Sequence, residues 1–512
     1  MIDAVALVPA AGSLPEYCDV QGHALTSPPV DANDKGVQFE VKMPSAWNKK
    51  FLMHGNGGFG GNIQNAYSTI VTPDVDGNTF PSGYGLDRGY TIAATDTGHV
   101  GSSNIDATGF RNADGTQNVD RIINFAYRGV HITAVAAKSI MSAYYNQKPI
   151  HAYIMSESNG GRQGLIEAQR YPLDFDGVIA GAPAWKLVEN IARFITMQQS
   201  QFPTYPPVNP VISIPLSAAV ANETMKQCDA QDGIVDNIIS DPLHCLFIPA
   251  IALPTFTSQQ VATLNNIYSP VFVNGKFIVS RYLPGYESST EHLAFGLGLG
   301  SPYAFGFNVP TIDYAFAIGT LQYMVYNDPN YILNDFDINT HLNDLFISPS
   351  GVNAKQMLDA DNTNLSSFIK HGGKIIIIHG LADWTVPPGE SIEYYLRTIS
   401  DPNNSYSDYL RLYFVPGLFH FAIPGLTTGH DANAPTHIQA LTTLENWVEK
   451  GVSPKALVAS RINSSNNVDM TRLVCPYPLM AKLKPGLDAS NPNITNSATN
   501  FSCIYYFGLS DN

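Results

Sequence analysis

The sequence lacks several features that would assign it to a protein class at once. Its 512 residues contain no apolar run of about 18 residues, so we expect no transmembrane helix and no membrane partner. Basic residues are outnumbered, with 28 Lys and Arg against 43 Asp and Glu, and the net charge of −15 argues against a nucleic-acid partner. The 41 glycines and 35 prolines are scattered without a period, which excludes a collagen and a low-complexity linker.

Cysteine is also scarce, and the chain opens without a recognisable leader. The first residues, MIDAVALVPAAGSL, have no basic n-region, so no signal peptide is predicted, although a leader could precede this start. Four of the five cysteines fall into two locally spaced pairs, which is typical of an oxidising compartment and predicts a secreted or periplasmic protein. The fifth is left over, and a partner upstream of the first residue is one explanation. The five are Cys18, Cys228, Cys245, Cys475 and Cys503.

Strand and helix patterns alternate along much of the chain. Strands are predicted where short apolar runs end in polar turns, and helices where apolar residues recur at helical spacing. This alternation predicts an α/β fold with a mostly parallel sheet and helices on both faces. The predicted strands lie at 38–60 (two strands and a glycine-rich loop), 89–99, 150–155, 175–184, 372–380 and 409–417, and the helices at 120–146, 161–172 and 436–451.

One short segment, YIMSESNGGRQG at 153–164, carries the first candidate for chemistry. Ser158 follows an apolar strand and precedes a predicted helix, where a serine on a strained turn exposes its hydroxyl above the sheet. Such a turn needs small residues two positions before and after the serine, and here these are Ser156 and Gly160. The first glycine of the G-x-S-x-G pattern is replaced by serine, so the pattern alone is weak, and an ordinary loop serine is the alternative.

Two further residues match the partners that a nucleophilic serine needs on this kind of fold. The acid and then the histidine should follow in chain order, each in a loop after a strand. Asp383 follows the strand at 372–380, and His420 follows the strand at 409–417. Singly, Asp383 could cap a turn and His420 could be a partly buried loop residue. The three in order favour a catalytic triad in which His420 takes the proton of Ser158 and Asp383 orients the imidazole.

The segment HGNGGFGG at 54–61 fits a glycine-rich loop that donates backbone N–H groups to a developing oxyanion. Gly57 and Gly58 are the candidates in this loop, and the N–H of Asn159 is the candidate second donor. The alternative is a simple flexible turn.

The strand–helix rhythm stops in the middle of the chain. Residues 187–365 are richer in Pro, Asn, Tyr and Phe and show no regular alternation. We therefore predict a catalytic core formed by residues 1–186 and 366–512, interrupted by a large inserted lid domain at 187–365.

Taken together, the motifs resemble the tannase and feruloyl esterase family of α/β-hydrolases, which also includes hydrolases of mono(hydroxyethyl) terephthalate. The resemblance spans nearly the whole chain. It implies an α/β-hydrolase fold with a lid, and a triad of Ser158, Asp383 and His420. The segments that carry it, in family order, are FEVKMPSAWNKKFLMHGNGGFGG, ATDTGH, NFAYRGVH, SNGGRQG, GAPAW, HGLADWTVPP and VPGLFH.

The segment CDAQDGIVDNIISDPLHC at 228–245 resembles the structural calcium site that the family carries in its lid. Three aspartates within eight residues, with Gly233 allowing a tight turn, also suit a hard cation by themselves, although an acidic surface turn has the same composition. Cys228 and Cys245 could close this loop as a disulfide, and Cys475 and Cys503 match another family disulfide. Carried over residue by residue, the ligands of a structural Ca²⁺ would be the carboxylates of Asp229, Asp232 and Asp236 and the carbonyls of Ile234 and Ile238.

The sequence departs from the family pattern at one place that matters. Family members usually have a cysteine just before the nucleophile and another just after the catalytic histidine, and these two pair. Here the positions hold Glu157 and Phe421, so the link cannot form and packing must hold the two loops. The departure puts the rate, the stability and the substrate range in question, but it removes no catalytic group.

The leading functional hypothesis is a serine esterase that forms an acyl-enzyme on Ser158, which water activated by His420 then hydrolyses. The resemblance implies esters of aromatic acids, with ferulate and other hydroxycinnamates first and gallate esters or terephthalate monoesters as further candidates. Aromatic residues such as those at 303–326 fit a packed lid core first, and an acid pocket lined by them is the alternative. Two other hypotheses stay open, a non-catalytic binding protein on this scaffold and a lipase or peptidase of the same fold. The oligomeric state is not indicated.

Overall fold

Short β-strands occur along most of the chain. Its structure is a computed structural model that describes all residues except 13, 30–33, 64–84, 290–291, 293–295, 298–308, 405–407, 421–433, 464, 466 and 506–512. The strands are β1 (Ile2–Val8), β2 (Tyr17–Ala24), β3 (Val37–Pro44), β4 (Lys50–His54), β5 (Thr91–Thr95), β6 (His151–Glu157), β7 (Gly177–Gly181), β8 (Val271–Val273), β9 (Lys276–Val279), β10 (Lys374–Gly380), β11 (Leu410–Val415), β12 (Leu457–Ile462), β13 (Val468–Val474), β14 (Leu479–Leu483) and β15 (Phe501–Tyr505).

Nine of these strands form one sheet, in the order β1-β2-β3-β5-β4-β6-β7-β10-β11. The pairings from β5 through to β11 are all parallel, and β1, β2 and β3 add an antiparallel edge. The predicted α/β fold with a mostly parallel sheet is therefore confirmed. β1 and β2 extend the sheet beyond the predicted strands, and the remaining strands pair as β8–β9, β12–β13 and β14–β15.

Helices cover both faces of the sheet, and two of them are continued by a π turn, at Asn124–Arg128 and Thr320–Val325. None of the helices in the described part of the chain is long and apolar enough to cross a membrane. The α-helices are α1 (Val119–Ile123), α2 (Gly129–Tyr145), α3 (Asn159–Arg170), α4 (Leu187–Gln201), α5 (Ile214–Cys228), α6 (Pro249–Ala252), α7 (Ser258–Ile267), α8 (Ile312–Gly319), α9 (Ile338–Phe346), α10 (Ala354–Leu358), α11 (Ser366–Lys370), α12 (Pro388–Ile399), α13 (Ala440–Lys450) and α14 (Pro492–Thr495).

The strand β10 shows how the core is built. Ile375 and Ile377 pack into a cluster with α2, α3 and α12, whereas Ile376 and Ile378 pack into a cluster with α13 on the other face. All four side chains are at most 1% exposed. A parallel strand buried on both faces has a continuous apolar sequence, and KIIIIHG is such a sequence, which fits the position of β10 between β7 and β11.

Residues 187–365 are here called the insertion, and those of them that the structure describes contribute no strand to the main sheet. They form helices α4 to α10 and the hairpin β8–β9, and α4 packs against α7, α8 and α9. One apolar cluster of the insertion, which includes Tyr282 and Tyr286, continues into the loops after β10 and β11 at Trp384 and Phe419. The insertion therefore contacts the carboxyl edge of the sheet.

Candidate active site

Ser158 lies on a sharp turn between β6 and α3. Its φ of 58° and ψ of −128° fall in a region that costs a non-glycine residue about 1–3 kcal/mol, so the surroundings must hold it there. Backbone hydrogen bonds do so, because the Ser158 N–H donates to the Gly181 carbonyl at 2.9 Å and the Ser158 carbonyl accepts from the Ala184 N–H at 3.1 Å. The serine is thus on a strained strand-to-helix connection.

The small residues around the serine are required by close approach. A Cβ at Gly160 would lie 1.9 Å from Oγ of Ser156, and a Cβ at Gly161 would lie 2.6 Å from the carbonyl oxygen of Gly181. Close-packed interiors leave no room for such an atom, so a larger residue at either position would displace the turn.

Asp383 and His420 are hydrogen-bonded at the carboxyl edge of the same sheet. Oδ2 of Asp383 lies 2.7 Å from Nδ1 of His420, and both side chains are fully buried. Oδ1 of Asp383 accepts from the backbone N–H groups of Thr385 at 2.7 Å and Val386 at 2.9 Å. Because β6, β7, β10 and β11 are adjacent and parallel, the loops that carry Ser158, Asp383 and His420 leave the sheet at one edge.

A second histidine, His379, contacts Asp383 and was not predicted from the sequence. Its Nε2 lies 3.1 Å from Oδ2 of Asp383 and 3.0 Å from the carbonyl oxygen of Val386, and its Nδ1 lies 2.7 Å from Oγ of Ser391. With the proton on Nε2, His379 donates to Asp383 while the Ser391 hydroxyl donates to Nδ1. The signal in the sequence is a polar residue that closes the apolar run KIIIIHG four positions before the aspartate.

These contacts decide the charge of Asp383. Burial by itself raises the pKa of the carboxyl, but the interactions with His420 and His379 outweigh it and hold the pKa at about 2. Asp383 is therefore ionised at neutral pH. An ionised carboxylate beside Nδ1 of His420 keeps the imidazole proton on that nitrogen, which makes Nε2 the acceptor.

The glycine-rich loop after β4 lies against the serine turn. The Asn56 carbonyl accepts from Nδ2 of Asn159 at 3.0 Å, and the Asn56 N–H donates to Oε1 of Gln163 at 2.9 Å. Gly58 has a φ of 56°, and a Cβ there would lie 2.2 Å from the carbonyl oxygen of Asn104, whereas a Cβ at Gly57 would lie 4.0 Å from Nδ2 of Asn104, an ordinary contact. The structure thus places Gly57, Gly58 and Asn159 at the same end of the sheet as Ser158. Their role as oxyanion donors stays a prediction.

Arg162 fastens the start of α3 and was also not predicted. Its buried guanidinium donates to Oδ1 of Asn159 at 2.7 Å and to the carbonyls of Ala126 at 2.8 Å and Leu358 at 2.6 Å. Burial lowers the pKa of Arg162 to about 9, which leaves it charged at neutral pH. One side chain therefore joins the serine turn, the π turn before α2 and the insertion.

Both predicted disulfides are confirmed. Cys228 is bonded to Cys245 with the Cα atoms 5.5 Å apart, and Cys475 is bonded to Cys503 with the Cα atoms 5.7 Å apart. Cys18 is buried and forms no disulfide with another cysteine in the part of the chain that the structure describes.

The carboxylates of the disulfide-closed loop 228–245 bond mainly to its own backbone. Asp229 accepts from the Asp236 N–H at 3.2 Å, Asp232 accepts from the Ile234 N–H at 2.9 Å, and the Arg472 guanidinium contacts Asp236. Burial, together with the neighbouring Asp236 carboxylate, raises the pKa of Asp232 to about 6. The atoms that this loop offers as metal ligands are all oxygens, and such a ligand set fits a hard cation.

The predicted calcium ligands share this loop but are not the tightest cluster of potential ligands. Among the described residues, the three side chains whose ligand atoms lie within 4.8 Å of one another are His131, Glu167 and Asp174, in another part of the molecule. Ile234 and Ile238, the predicted carbonyl ligands, are buried. Calcium binding in the loop stays a prediction.

The loops at the candidate site are held by backbone contacts. Glu157 is buried at the end of β6, and Phe421 lies outside the described residues. The Ala382 N–H donates to the Leu418 carbonyl at 3.1 Å, and a Cβ at Gly380 would lie 2.1 Å from that carbonyl oxygen. Close backbone packing therefore fixes the segment before His420 to the end of β10.

A parallel sheet core with a strained serine turn after one strand and an acid–histidine pair after two others defines an α/β-hydrolase. The family follows from direct comparison, because the model of the tannase and feruloyl esterase family matches residues 18–504. The chain belongs to this family and is a carboxylic ester hydrolase. The predicted fold class, family and enzyme class are confirmed.

Relatives from Aspergillus and Xanthomonas support the assignment. The chain is 30% identical over 466 residues to a probable feruloyl esterase B-1 of Aspergillus oryzae, covering 86% of this chain and 77% of the relative. It is 30% identical over 506 residues to an uncharacterized esterase of Xanthomonas campestris, covering 92% and 82%. The crystal structure of feruloyl esterase B from Aspergillus oryzae superposes with a TM-score of 0.77 at 25% identity, covering 98% and 96%. Tannin acyl hydrolase from Aspergillus niger superposes with a TM-score of 0.69 at 22% identity, covering 99% of this chain and 91% of that structure. This likeness shows the fold alone.

Proposed function

We propose that the protein is a secreted serine esterase for esters of aromatic acids. Feruloyl and other hydroxycinnamoyl esters are the first candidates, and gallate esters or terephthalate monoesters are further ones. The observation that carries the serine mechanism is the buried 2.7 Å hydrogen bond between Asp383 and His420, at the sheet edge where Ser158 sits on its strained turn. The substrate class is supported by relatives described as feruloyl esterases.

In the proposed reaction, Oγ of Ser158 attacks the ester carbonyl while Nε2 of His420 takes the serine proton. The imidazolium then gives this proton to the leaving alcohol, which leaves an acyl-enzyme. Water next loses a proton to His420 and attacks the acyl carbonyl. The acid leaves as the imidazolium returns this proton to Oγ of Ser158, which restores both residues. The ionised Asp383 stabilises the imidazolium in both half-reactions.

The oxyanion of each tetrahedral intermediate needs hydrogen-bond donors in place before the reaction. We assign this role to the N–H groups of Gly57, Gly58 and Asn159, since the glycine loop and the serine turn are hydrogen-bonded to each other. One such donor contributes about 10²–10³ to kcat in enzymes of this type.

The insertion is proposed to act as a lid that shapes the acid pocket. Trp384, the neighbour of Asp383, stacks on Tyr282 with ring centroids 4.5 Å apart and donates to Oδ2 of Asp313 in α8 at 3.0 Å. These contacts attach the insertion to the loop of the proposed orienting acid. Residues 303–308 of the aromatic segment lie outside the described residues, and α8 packs in an apolar cluster that joins the insertion to Phe59 and Phe125 of the core. A Tyr282→Ala variant should change KM for methyl ferulate more than for methyl acetate, and an equal change would argue against an acid pocket here.

The first experiment is hydrolysis of methyl ferulate by the purified protein and by Ser158→Ala. We expect the variant to lose turnover by about 10⁴-fold or more, because the nucleophile is gone. Ser139→Ala, an exposed serine of α2, is the matched control and should keep full activity. The rates of hydrolysis of methyl gallate and of terephthalate monoesters, compared with that of methyl ferulate, then show which acid is preferred.

The competing hypotheses give different outcomes in the same assay. A non-catalytic binding protein would show no turnover, and Ser158 would not react with a serine-directed phosphonate. A lipase would prefer long aliphatic esters to methyl ferulate, and a peptidase would cleave an amide substrate.

We also propose that the loop 228–245 binds a structural Ca²⁺. Its all-oxygen donor set and its closure by a disulfide support this. The ion would neutralise buried carboxylates and hold the loop in place, and it has no part in the chemical step. The ligands would be Asp229, Asp232, Asp236 and the carbonyls of Ile234 and Ile238. Ca²⁺ should raise the Tm of chelator-treated protein but not of its Asp229→Asn variant, and an equal rise in both would refute the site.

Secretion is supported by the two disulfides, which persist in oxidising compartments. Recovery of the protein from the culture medium of its source, with both disulfides intact by non-reducing mass measurement, would test it. Recovery only from the cytoplasm in the reduced form would contradict it.

A further inference from the structure

Three side chains away from the proposed catalytic residues meet beside α2 and α3. His131 lies in the first turn of α2, Glu167 lies near the end of α3, and Asp174 lies in the loop that follows α3. One ligand atom of each lies within 4.8 Å of the others. Glu167 is 1% exposed, whereas the other two are partly exposed, so the group opens to solvent on one side.

Glu167 is the member that needs an explanation. Neither of its carboxylate oxygens has a hydrogen-bond partner in the part of the chain that the structure describes. A buried carboxylate without donors is unfavourable, so it either keeps a proton or binds a cation. Burial, and then the nearby charge of Asp174, raise the pKa of Glu167 well above its usual value.

His131 is held in the orientation that a ligand needs. Its ring stacks on Tyr171 with the ring centroids 3.7 Å apart and an angle of 6° between the planes. Its Nδ1 lies 2.6 Å from Oδ2 of Asp174. The imidazole therefore presents one nitrogen towards the two carboxylates.

We propose that His131, Glu167 and Asp174 form a binding site for a first-row divalent cation such as Zn²⁺. One imidazole nitrogen and two carboxylate oxygens are ligands that Zn²⁺ takes at about 2.0–2.2 Å, with water in the fourth position. The mixed nitrogen and oxygen set distinguishes this site from the all-oxygen loop 228–245, which suits Ca²⁺. The cation would bond directly to the carboxylate of Glu167, whose two oxygens have no hydrogen-bond partner among the described residues.

Lys138 is the competing positive charge. Its Nζ lies 3.9 Å from Oδ1 of Asp174 and donates to the Asp174 carbonyl. A positive charge this close repels a metal ion, so Lys138→Met should bind Zn²⁺ more tightly than the wild type.

The test is a titration of chelator-treated, Ca²⁺-resaturated protein with Zn²⁺ by calorimetry and with Co²⁺ by visible absorption. We expect one ion per chain at this site, and affinities more than about tenfold weaker in Glu167→Gln and in His131→Ala. His23→Ala is the matched control, since His23 lies 2.8 Å from Asp3 but is not part of a three-ligand group among the described residues. It should bind as the wild type does.

Two outcomes would overturn the proposal. The first is Zn²⁺ and Co²⁺ affinity that neither Glu167→Gln nor His131→Ala weakens. The second is a wild type that shows no Co²⁺ absorption band and no change in Tm with Zn²⁺, as expected if Glu167 instead keeps a proton shared with Asp174. The readout is metal binding, so the result does not depend on ester hydrolysis.

Discussion

Asp383 and Glu167 are two buried carboxylates that lie near histidines and have opposite surroundings. Asp383 accepts two backbone N–H groups and lies within hydrogen-bonding distance of two imidazoles. Glu167 has no hydrogen-bond partner among the described residues. The pKa of Asp383 is lowered to about 2 despite burial, whereas burial and Asp174 raise that of Glu167. Burial acts in the same direction on both, so the groups around each carboxylate decide its charge.

The largest expected effect comes from removing the charge of the well-partnered carboxylate. Asp383→Asn should lower kcat for methyl ferulate by about 10⁴, because the neutral amide no longer fixes the His420 tautomer or stabilises the imidazolium. Asp3→Asn is the matched control, since Asp3 lies 2.8 Å from another histidine, His23, on the antiparallel edge of the sheet. A loss below about tenfold in Asp383→Asn would show that another group orients His420.

The opposite pKa shifts should give opposite pH dependences of stability. The folded pKa of Asp383 is depressed from 3.8 to about 2, so its contribution of about 2 kcal/mol is present above pH 3.8 and is lost as pH falls through 2. The folded pKa of Glu167 is raised, so without metal its ionisation costs stability as pH rises above its unfolded value. Urea unfolding of the wild type, Asp383→Asn and Glu167→Gln across pH measures both slopes. If the two carboxylates changed the free energy of unfolding in the same direction with pH, the opposite pKa shifts would be contradicted.

The smallest expected effect concerns one of the partners of Asp383. His379→Ala should lower kcat about tenfold with little change in KM, because a hydrogen bond to a charged group is lost and the carboxylate is less well positioned. His379→Gln should recover part of the rate, since its amide can donate to the same oxygen. Equal losses in both variants with equal falls in Tm would indicate that His379 only packs.

The parts of the fold that the sequence predicts are those with an unambiguous pattern. β10 is buried on both faces and is a continuous apolar run, and the serine turn is marked by small residues between a strand and a helix. β1 was not predicted, because it is an edge strand with mostly exposed side chains and no core packing to impose a pattern. β2 was not predicted either, since it packs beside that edge.

The candidate site was predicted where the chain order of the residues carries information. Ser158, Asp383 and His420 each follow a strand, so the sequence alone gives their chain order and their position after the predicted strands. His379 and Arg162 were missed, because single polar residues in apolar or helical segments have no periodic signal and their partners are distant in sequence. The group His131, Glu167 and Asp174 was missed for the same reason, since only the packing of α2 against α3 brings its members together.

The tight glycines around the site matter to anyone who diversifies this chain. Positions 160, 161 and 380 have no room for a Cβ. A mutant library that randomises every codon near Ser158 and His420 would therefore consist largely of clones with displaced loops. A library that keeps these three codons as glycine and varies the aromatic positions of the insertion would instead sample altered substrate choice within folded clones.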